Sequence, residues 1–385
     1  MTVSRLAQMA GIGVDRVGAA ADRALDPELL RLENLDTDLR PPPGAVEATR
    51  EAAGRDDANS YLPFVGTAEL RRAAARRVSR AAGLEYDASR STVISAGGLA
   101  GILDVLLATL EPGDEVILPD PIYIGLINRV RLAGGVPRLV SHRVVDGAWR
   151  LDLDSLAAAV GPRTRVFLMM SPAMPSGAVL NRAEWAAVCD ACRRSGAWMV
   201  YDAAMEGILF GAAEVLHPAS FSGMAERTIT VGSVSKEQRM IGWRVGWIVA
   251  PPGIVDDIGL VAISNACTPV GIAQAGAAVA LAAPASDLAA ATAEWRRRRD
   301  AILEELAPYR PIRPDGGWSL LIDVAGLGMS AAEASDRLLE LGRVAATPMQ
   351  GWGGPKSADY LRLVFSNEPV ARLRGLRERF DRALR

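Results

Sequence analysis

The 385-residue sequence predicts an α/β fold, a mostly parallel sheet sandwiched by helices, followed by a smaller α+β unit. Three observations carry this expectation. Half of the residues are apolar and 23% are charged, enough to bury the core of one large or two medium domains. From about residue 90 to 250, short runs rich in valine, isoleucine or methionine alternate with helical patterns, and a strand buried on both faces reads as such a continuous apolar run. After Pro284 that alternation stops and a long amphipathic helix takes its place.

Taken in order, the strand runs are "STVISA", "DEVILP", "VPRLVS", "RVFLMMS", "AWMVYD", "TITVGS" and "VGWIVAP", with helices such as "LAGILDVLLATL" and "RAEWAAVCDACRRSG" between them. This order places helices on both faces of parallel strands. Beyond Pro284 follow the helix "SDLAAATAEWRRRRDAILEEL", the strand "WSLLIDV", a helix at "AAEASDRLLELG" and the strand "YLRLVFS". The expected division is a large domain over residues 45–285 and a small domain of residues 286–385, to which residues 1–44 return. No internal repeat or low-complexity linker interrupts it.

Composition excludes several function classes. Lysine plus arginine number 43 against 45 acidic residues, and the basic ones are scattered, so no nucleic-acid partner is expected. The start "MTVSRLAQMAGIGVDRV" lacks a sustained apolar core and a cleavage site, which argues against a secretory signal and for a cytoplasmic protein. The uncharged stretch Gly259 to Ser286 is long enough to span a bilayer, but Asn265, Thr268, Pro269 and Gln274 make it poor for lipid. A helix buried between protein layers is expected there, with no membrane contact. Cys189 and Cys192 form a lone Cys-x-x-Cys with no second ligand pair, so they are read as buried or idle thiols and no metal is expected. Neither histidine belongs to a metal or nucleophile motif, and no Walker-type loop is present.

In doubly wound sheets, ligands bind beyond the carboxyl ends of the strands. The residues following each strand here are "AGGLAG", "PDPIY", "SPAMPSG", "DAAMEG" and "GSVSKEQRMIGWR". A glycine turn running into a helix aims free N–H groups at one place, and Ser233, Ser235 and Arg244 add the hydroxyls and guanidinium that suit a phosphate monoester. Lys236 follows a strand at this ligand edge, flanked by small hydroxyl residues, where desolvation would lower its pKa and free its amine for Schiff-base chemistry. With Asp202 at the neighbouring strand end, the set matches pyridoxal phosphate: lysine for the aldehyde, cradle for the phosphate, carboxylate for the ring nitrogen.

These stretches resemble, in order and across nearly the whole chain, the fold-type I, class I/II aminotransferases that depend on pyridoxal phosphate. "SVSKEQRMIGWRVGW" is similar to the lysine motif, which implies Lys236 as the Schiff-base residue with Ser233 and Arg244 as phosphate ligands. "YDAAMEG" supplies Asp202, and "SAGGLAGILDVL" matches the first phosphate turn through Gly97, Gly98 and Leu99. "PDPIYIG" places Tyr123 where a ring stacks on the cofactor. "YLPFVGTAELR" places Tyr61 where a tyrosine reaches the phosphate of a neighbouring subunit, which implies a homodimer with shared sites. "YLRLVFS" resembles the arginine motif, making Arg362 the bidentate clamp on a substrate α-carboxylate; Trp318 in "GGWSLL" is expected to line the pocket of the amino acid substrate.

Three positions depart from the pattern. Met174 stands where the family usually has asparagine, and Met205 where it usually has tyrosine; both family residues donate to the cofactor's phenolic oxygen, and methionine has no donor. Leu35 stands near a family glycine beside the substrate carboxylate. Losing two donors, each worth about 1.5 to 3 kcal/mol to a charged group, is expected to keep the Schiff base protonated across neutral pH. The expected reaction is transamination to a 2-oxo acid, the alternative being elimination, replacement, or oxidative or decarboxylative deamination as in secondary metabolism.

Overall fold

A computed structural model describes residues 4–7, 9 and 11–385. Eight strands form the central sheet: β1 (Thr92–Ser95), β2 (Glu115–Asp120), β3 (Val136–Val145), β4 (Ala148–Leu151), β5 (Thr164–Met170), β6 (Trp198–Asp202), β7 (Thr228–Ser233) and β8 (Gly246–Val249). Their spatial order is β1-β8-β7-β6-β5-β2-β3-β4. The neighbours from β7 through β3 pair in parallel, whereas β8 runs against both of its neighbours and β4 against β3. All seven apolar runs read from the sequence are strands of this sheet. β4 was not among them; it is the return of a hairpin whose Asp146 and Gly147 both take positive φ, 50° and 75°, the geometry of a type I′ turn.

Alternate residues of one strand face opposite layers, and both layers are helical. On β5, Val166 and Leu168 pack with Ile102, Val105 and Leu106 of α3 (Gly98–Thr109), and with Ile127 and Val130 of α4 (Ile124–Leu132). Phe167 and Met169 point the other way, onto Trp185, Val188 and Cys192 of α5 (Arg182–Ser195). This two-sided burial explains why the strands read as unbroken apolar runs. Toward β1, Ile94, Trp247 and Val249 meet Leu70 and Ala74 of α2 (Ala68–Ala82). Burial drives the thiols of Cys189 and Cys192 up to about 12, so they are inert core groups.

The uncharged stretch expected to be one helix is two, α6 (Pro252–Ala266) and α7 (Gly271–Leu281). Cys267 takes φ 60° and Pro269 has no N–H to continue the ladder, which breaks the run. No single described helix is long and apolar enough to cross a membrane.

After α8 (Ala285–Glu305), a second sheet is made of β9 (Ser319–Asp323), β10 (Thr347–Pro348) and β11 (Tyr360–Val364), ordered β9-β11-β10. The helix expected at "AAEASDRLLELG" is α-helical only over Ala331–Arg337 and widens to π geometry over Leu338–Gly342. Leu30–Arg31 pairs in parallel with Val344–Ala345, and Leu30 and Leu32 share one apolar cluster with Leu320, Leu361 and Phe365. The early chain is thereby packed beside β11, which carries Arg362.

Candidate active site

A cavity of about 440 Å³ opens where the carboxyl ends of β5, β6 and β7 meet the loops after β1 and β2. Gly98, Leu99, Tyr123, Met174, Asp202, Met205, Ser233, Ser235, Lys236, Arg244, Arg362 and Leu35 all line it. These come from nearly 330 positions of chain, which only the sheet's crossover connections bring together.

At one end stands an anion cradle. Gly97 takes φ +93°, a conformation that strains any residue with a side chain, and a Cβ there would lie 2.5 Å from Arg244 Nη2. A Cβ on Gly98 would press on Ser233 Cβ at 3.4 Å. No side chain caps the start of α3, so its first N–H groups and the positive end of its dipole face the same spot as Ser233 and Ser235. Arg244, itself at φ 55°, is steadied by donating to the carbonyl of Ile241 at 2.9 Å.

At the centre, Lys236 Nζ donates to the carbonyl of Leu35 at 2.9 Å and lies 5.1 Å from the centre of the Trp318 ring. Burial pushes its amine down to about 8; Arg362 and Arg244 reinforce the shift, while Asp36 and Asp202 oppose it. Asp202, at the end of β6, accepts from the Ala204 N–H at 3.1 Å. Burial raises its carboxyl to about 6, against the pull of that hydrogen bond and of Lys236 and Arg129. One sequence signal was overlooked: of 43 lysines and arginines, two are lysines, Lys236 and Lys356. Lys356 is exposed and bridged to Asp323 at 2.8 Å and Asp359 at 2.9 Å, which raise its pKa. Of the two, Lys236 is the amine poised to lose its proton, which a guanidinium in its place could not do.

At the other end, Arg362 is buried on β11. Its Nη2 donates to the Glu33 carbonyl and, at 3.3 Å, to Thr347 Oγ1; Nη1 meets Met174 Sδ at 3.8 Å, and Nε has no partner. A buried donor without an acceptor is a ready site for a carboxylate. The Trp352 ring covers the guanidinium at 4.9 Å and meets the Tyr123 ring edge-on at 5.3 Å. Tyr123 lies folded over Gly125, where a Cβ would fall 2.3 Å from the ring. Trp352 also donates through Nε1 to the Ile12 carbonyl at 3.1 Å. Ile12, Val14 and Asp15 therefore reach the cavity, a wall segment that no motif or periodicity disclosed.

One placement differs from expectation. Trp318 is not on the cavity wall; it is 1% exposed, packs on Trp295 at 5.0 Å and belongs to the small-domain apolar cluster. Tyr61 lies outside this cavity and is 80% exposed. Met174 and Met205 do face the cavity, joined by Met170. That wall offers thioethers and no hydrogen-bond donors.

The chain matches the family described as aminotransferase class I and II over residues 30–380. It is 35% identical to the arginine–pyruvate transaminase of Pseudomonas aeruginosa over 348 residues, covering 89% of this chain and 87% of that protein. The solved N-succinyldiaminopimelate aminotransferase of Mycobacterium tuberculosis superposes with a TM-score of 0.92 at 30% identity, covering 98% of this chain and 99% of that one. The aspartate aminotransferase of Thermus thermophilus with maleate gives 0.89 at 29% identity, covering 100% of both chains.

Proposed function

The chain belongs to the class I and II aminotransferases, enzymes of pyridoxal-phosphate-dependent amino-group transfer, and we propose which of its residues perform that transfer. The observation that carries the proposal is Lys236: a half-buried amine on the cavity wall, lowered to about 8, that shares the cavity with the buried Asp202 carboxylate and an uncapped helix N-terminus.

The donor set fits pyridoxal phosphate at three of its functional groups. The backbone at Gly97, Gly98 and Leu99, with Ser233, Ser235 and Arg244, holds the phosphate. Lys236 would take the aldehyde, and Asp202 would pair with the ring nitrogen, its buried charge balanced if that nitrogen is protonated. Tyr123 would supply a ring for stacking. The phenolic oxygen is the exception, since Met174 and Met205 would offer it no donor. When bound, the cofactor supplies an aldehyde that captures the substrate amine and a ring that accepts the electrons released at the α-carbon.

The protein's own part is positioning and proton transfer. Arg362 binds the α-carboxylate through its unpartnered Nε and the edge facing Met174. Lys236 removes the α-proton and carries it onward; burial lowers its amine to about 8, so the neutral form that can take a proton grows as pH rises toward that value. Leu35 and the methionines exclude water from the reacting carbon. The exposure of Tyr61 fits a homodimer in which it reaches the partner's phosphate site; the enzyme is placed in the cytoplasm. Residues 45–285 form the cofactor-bearing domain, and residues 1–44 with 286–385 the domain carrying Arg362. The substrate is an amino acid, as expected of amino acid metabolism.

Mixing the loaded enzyme with a panel of amino acids tests this reading. Conversion of the cofactor to its pyridoxamine form, reversed by a 2-oxo acid, is expected. Release of ammonia without such reversal would contradict it and favour the lyase reading.

A further inference from the structure

Behind the turns that carry Lys236 and Met205 lies a buried charge set that the transfer scheme leaves unused. Arg77 on α2 directs Nη2 at Glu237 at 2.5 Å and at Glu206 at 3.1 Å. Glu237, the residue after Lys236, accepts the Gly207 N–H on its other oxygen at 2.7 Å. One carboxylate thus ties the lysine turn to the Met205 turn. Gly207 has to stay small, since a Cβ there would fall 2.9 Å from Leu288 and 3.3 Å from Glu237 Oε1. Glu206 is 4% exposed and Glu237 2%, and Glu206 Oε2 is buried with no partner. One cation for two buried carboxylates leaves a negative charge in excess, a costly arrangement unless one carboxyl takes up a proton.

Among the described residues, Arg77 is the one cation within ion-pair distance of the two carboxylates. Tyr201 on β6 is neutral and buried, and His217, which faces Arg77, is held neutral with its pKa lowered to about 4 by burial and by that arginine. Across an adjoining cavity of about 810 Å³, lined by Arg77 and Glu237 among others, stand Arg80, Arg296 and Asp287, the last engaged by Arg239 at 2.7 Å. That cavity gives water, and hence protons, a route to the set.

We propose that Arg77, Glu206 and Glu237 form a proton-linked positioning unit. The Arg77–Glu237 pair sets the lysine turn against the Met205 turn, and the proton on Glu206 decides whether Arg77 is held by one carboxylate or shared by two. The proposal rests on Lys236 as the cofactor-bearing residue. With Glu206 protonated, Arg77 grips Glu237 alone; as pH rises Glu206 releases its proton to solvent, and the carboxylates repel across the shared guanidinium. Burial, with repulsion by Glu237, pushes Glu206 up to about 7 against the pull of Arg77. The native state therefore holds more protons than the unfolded chain between the ordinary glutamate range and about 7, and stability falls as pH rises through that window.

Two variants of the holoenzyme, with wild type, test this. Glu237→Ala should lower kcat by about tenfold or more with KM little changed, and move the midpoint of the pH titration of visible absorbance; Glu237→Asp should recover part of both. Glu206→Gln should remain folded and lose the excess fall in Tm that wild type shows from pH 5 to 8. If Glu237→Ala and Glu237→Asp lower Tm while kcat and the absorbance midpoint stay as in wild type, the set is a strut only and the proposal fails. It fails equally if Glu206→Gln keeps the wild-type slope of Tm against pH. Failure of the Lys236 reading is a separate result, visible absorbance surviving in Lys236→Ala.

Discussion

At the cavity end bounded by Gly98, Ser233, Ser235 and Arg244, backbone and side chains all offer hydrogen-bond donors, whereas the wall of Met170, Met174 and Met205 offers none. The first end is built largely from backbone: a glycine that must take positive φ, an uncapped helix start, and a glycine against which Ser233 packs. Such constraints leave few residue choices. The second end is built from side chains alone, and a donor can be exchanged for an apolar group of similar length without disturbing the strands. In the proposed reading, anchoring of the cofactor and tuning of its electronics fall to separate parts of the site.

The predictions probe that contrast from the largest effect to the smallest. Lys236→Ala removes the group common to both ends, so visible absorbance and turnover are both expected to vanish; spectra and an amino-acid assay of the purified variant check it. Arg362→Leu strips the carboxylate clamp, and losing one partner of a buried charge pair should cost about 2 to 5 kcal/mol in kcat/KM, mostly through KM. Arg244→Ala should weaken cofactor binding by about 1.5 to 3 kcal/mol, read by titrating the stripped protein with pyridoxal phosphate. Met174→Asn or Met205→Tyr should restore a donor to the phenolic oxygen and lower the midpoint of the absorbance titration by about one to two pH units. An unchanged midpoint in both would show that the methionine wall does not set the electronics.

The same division explains what could be read from the sequence. The sheet was legible, and so was the convergence of Lys236, Asp202, the glycine turn and Arg362 on one cavity, because buried strands and tight turns admit few residues. Trp318 was misplaced because a buried tryptophan and a pocket tryptophan look alike in sequence; its packing on Trp295 is a long-range fact. The hairpin at Asp146–Gly147 has a recognisable turn pair, but its short return strand lacks an apolar run. Ile12, Val14 and Asp15 carry no motif, and their place in the wall follows from Trp352 holding the Ile12 carbonyl. The partners Arg77, Glu206 and Glu237 are far apart in sequence and meet only behind the sheet edge. Two lysines in the whole chain were a signal available from the start.

That scarcity makes the central claim directly measurable. Borohydride reduction of the loaded protein, followed by mass analysis of its peptides, fixes the cofactor to whichever amine holds it, and the choice lies between Lys236, Lys356 and the chain terminus. The account predicts the added mass on the peptide containing Lys236 and an unmodified Lys356. Label on Lys356 alone, or none on either lysine in protein that shows visible absorbance, would contradict it.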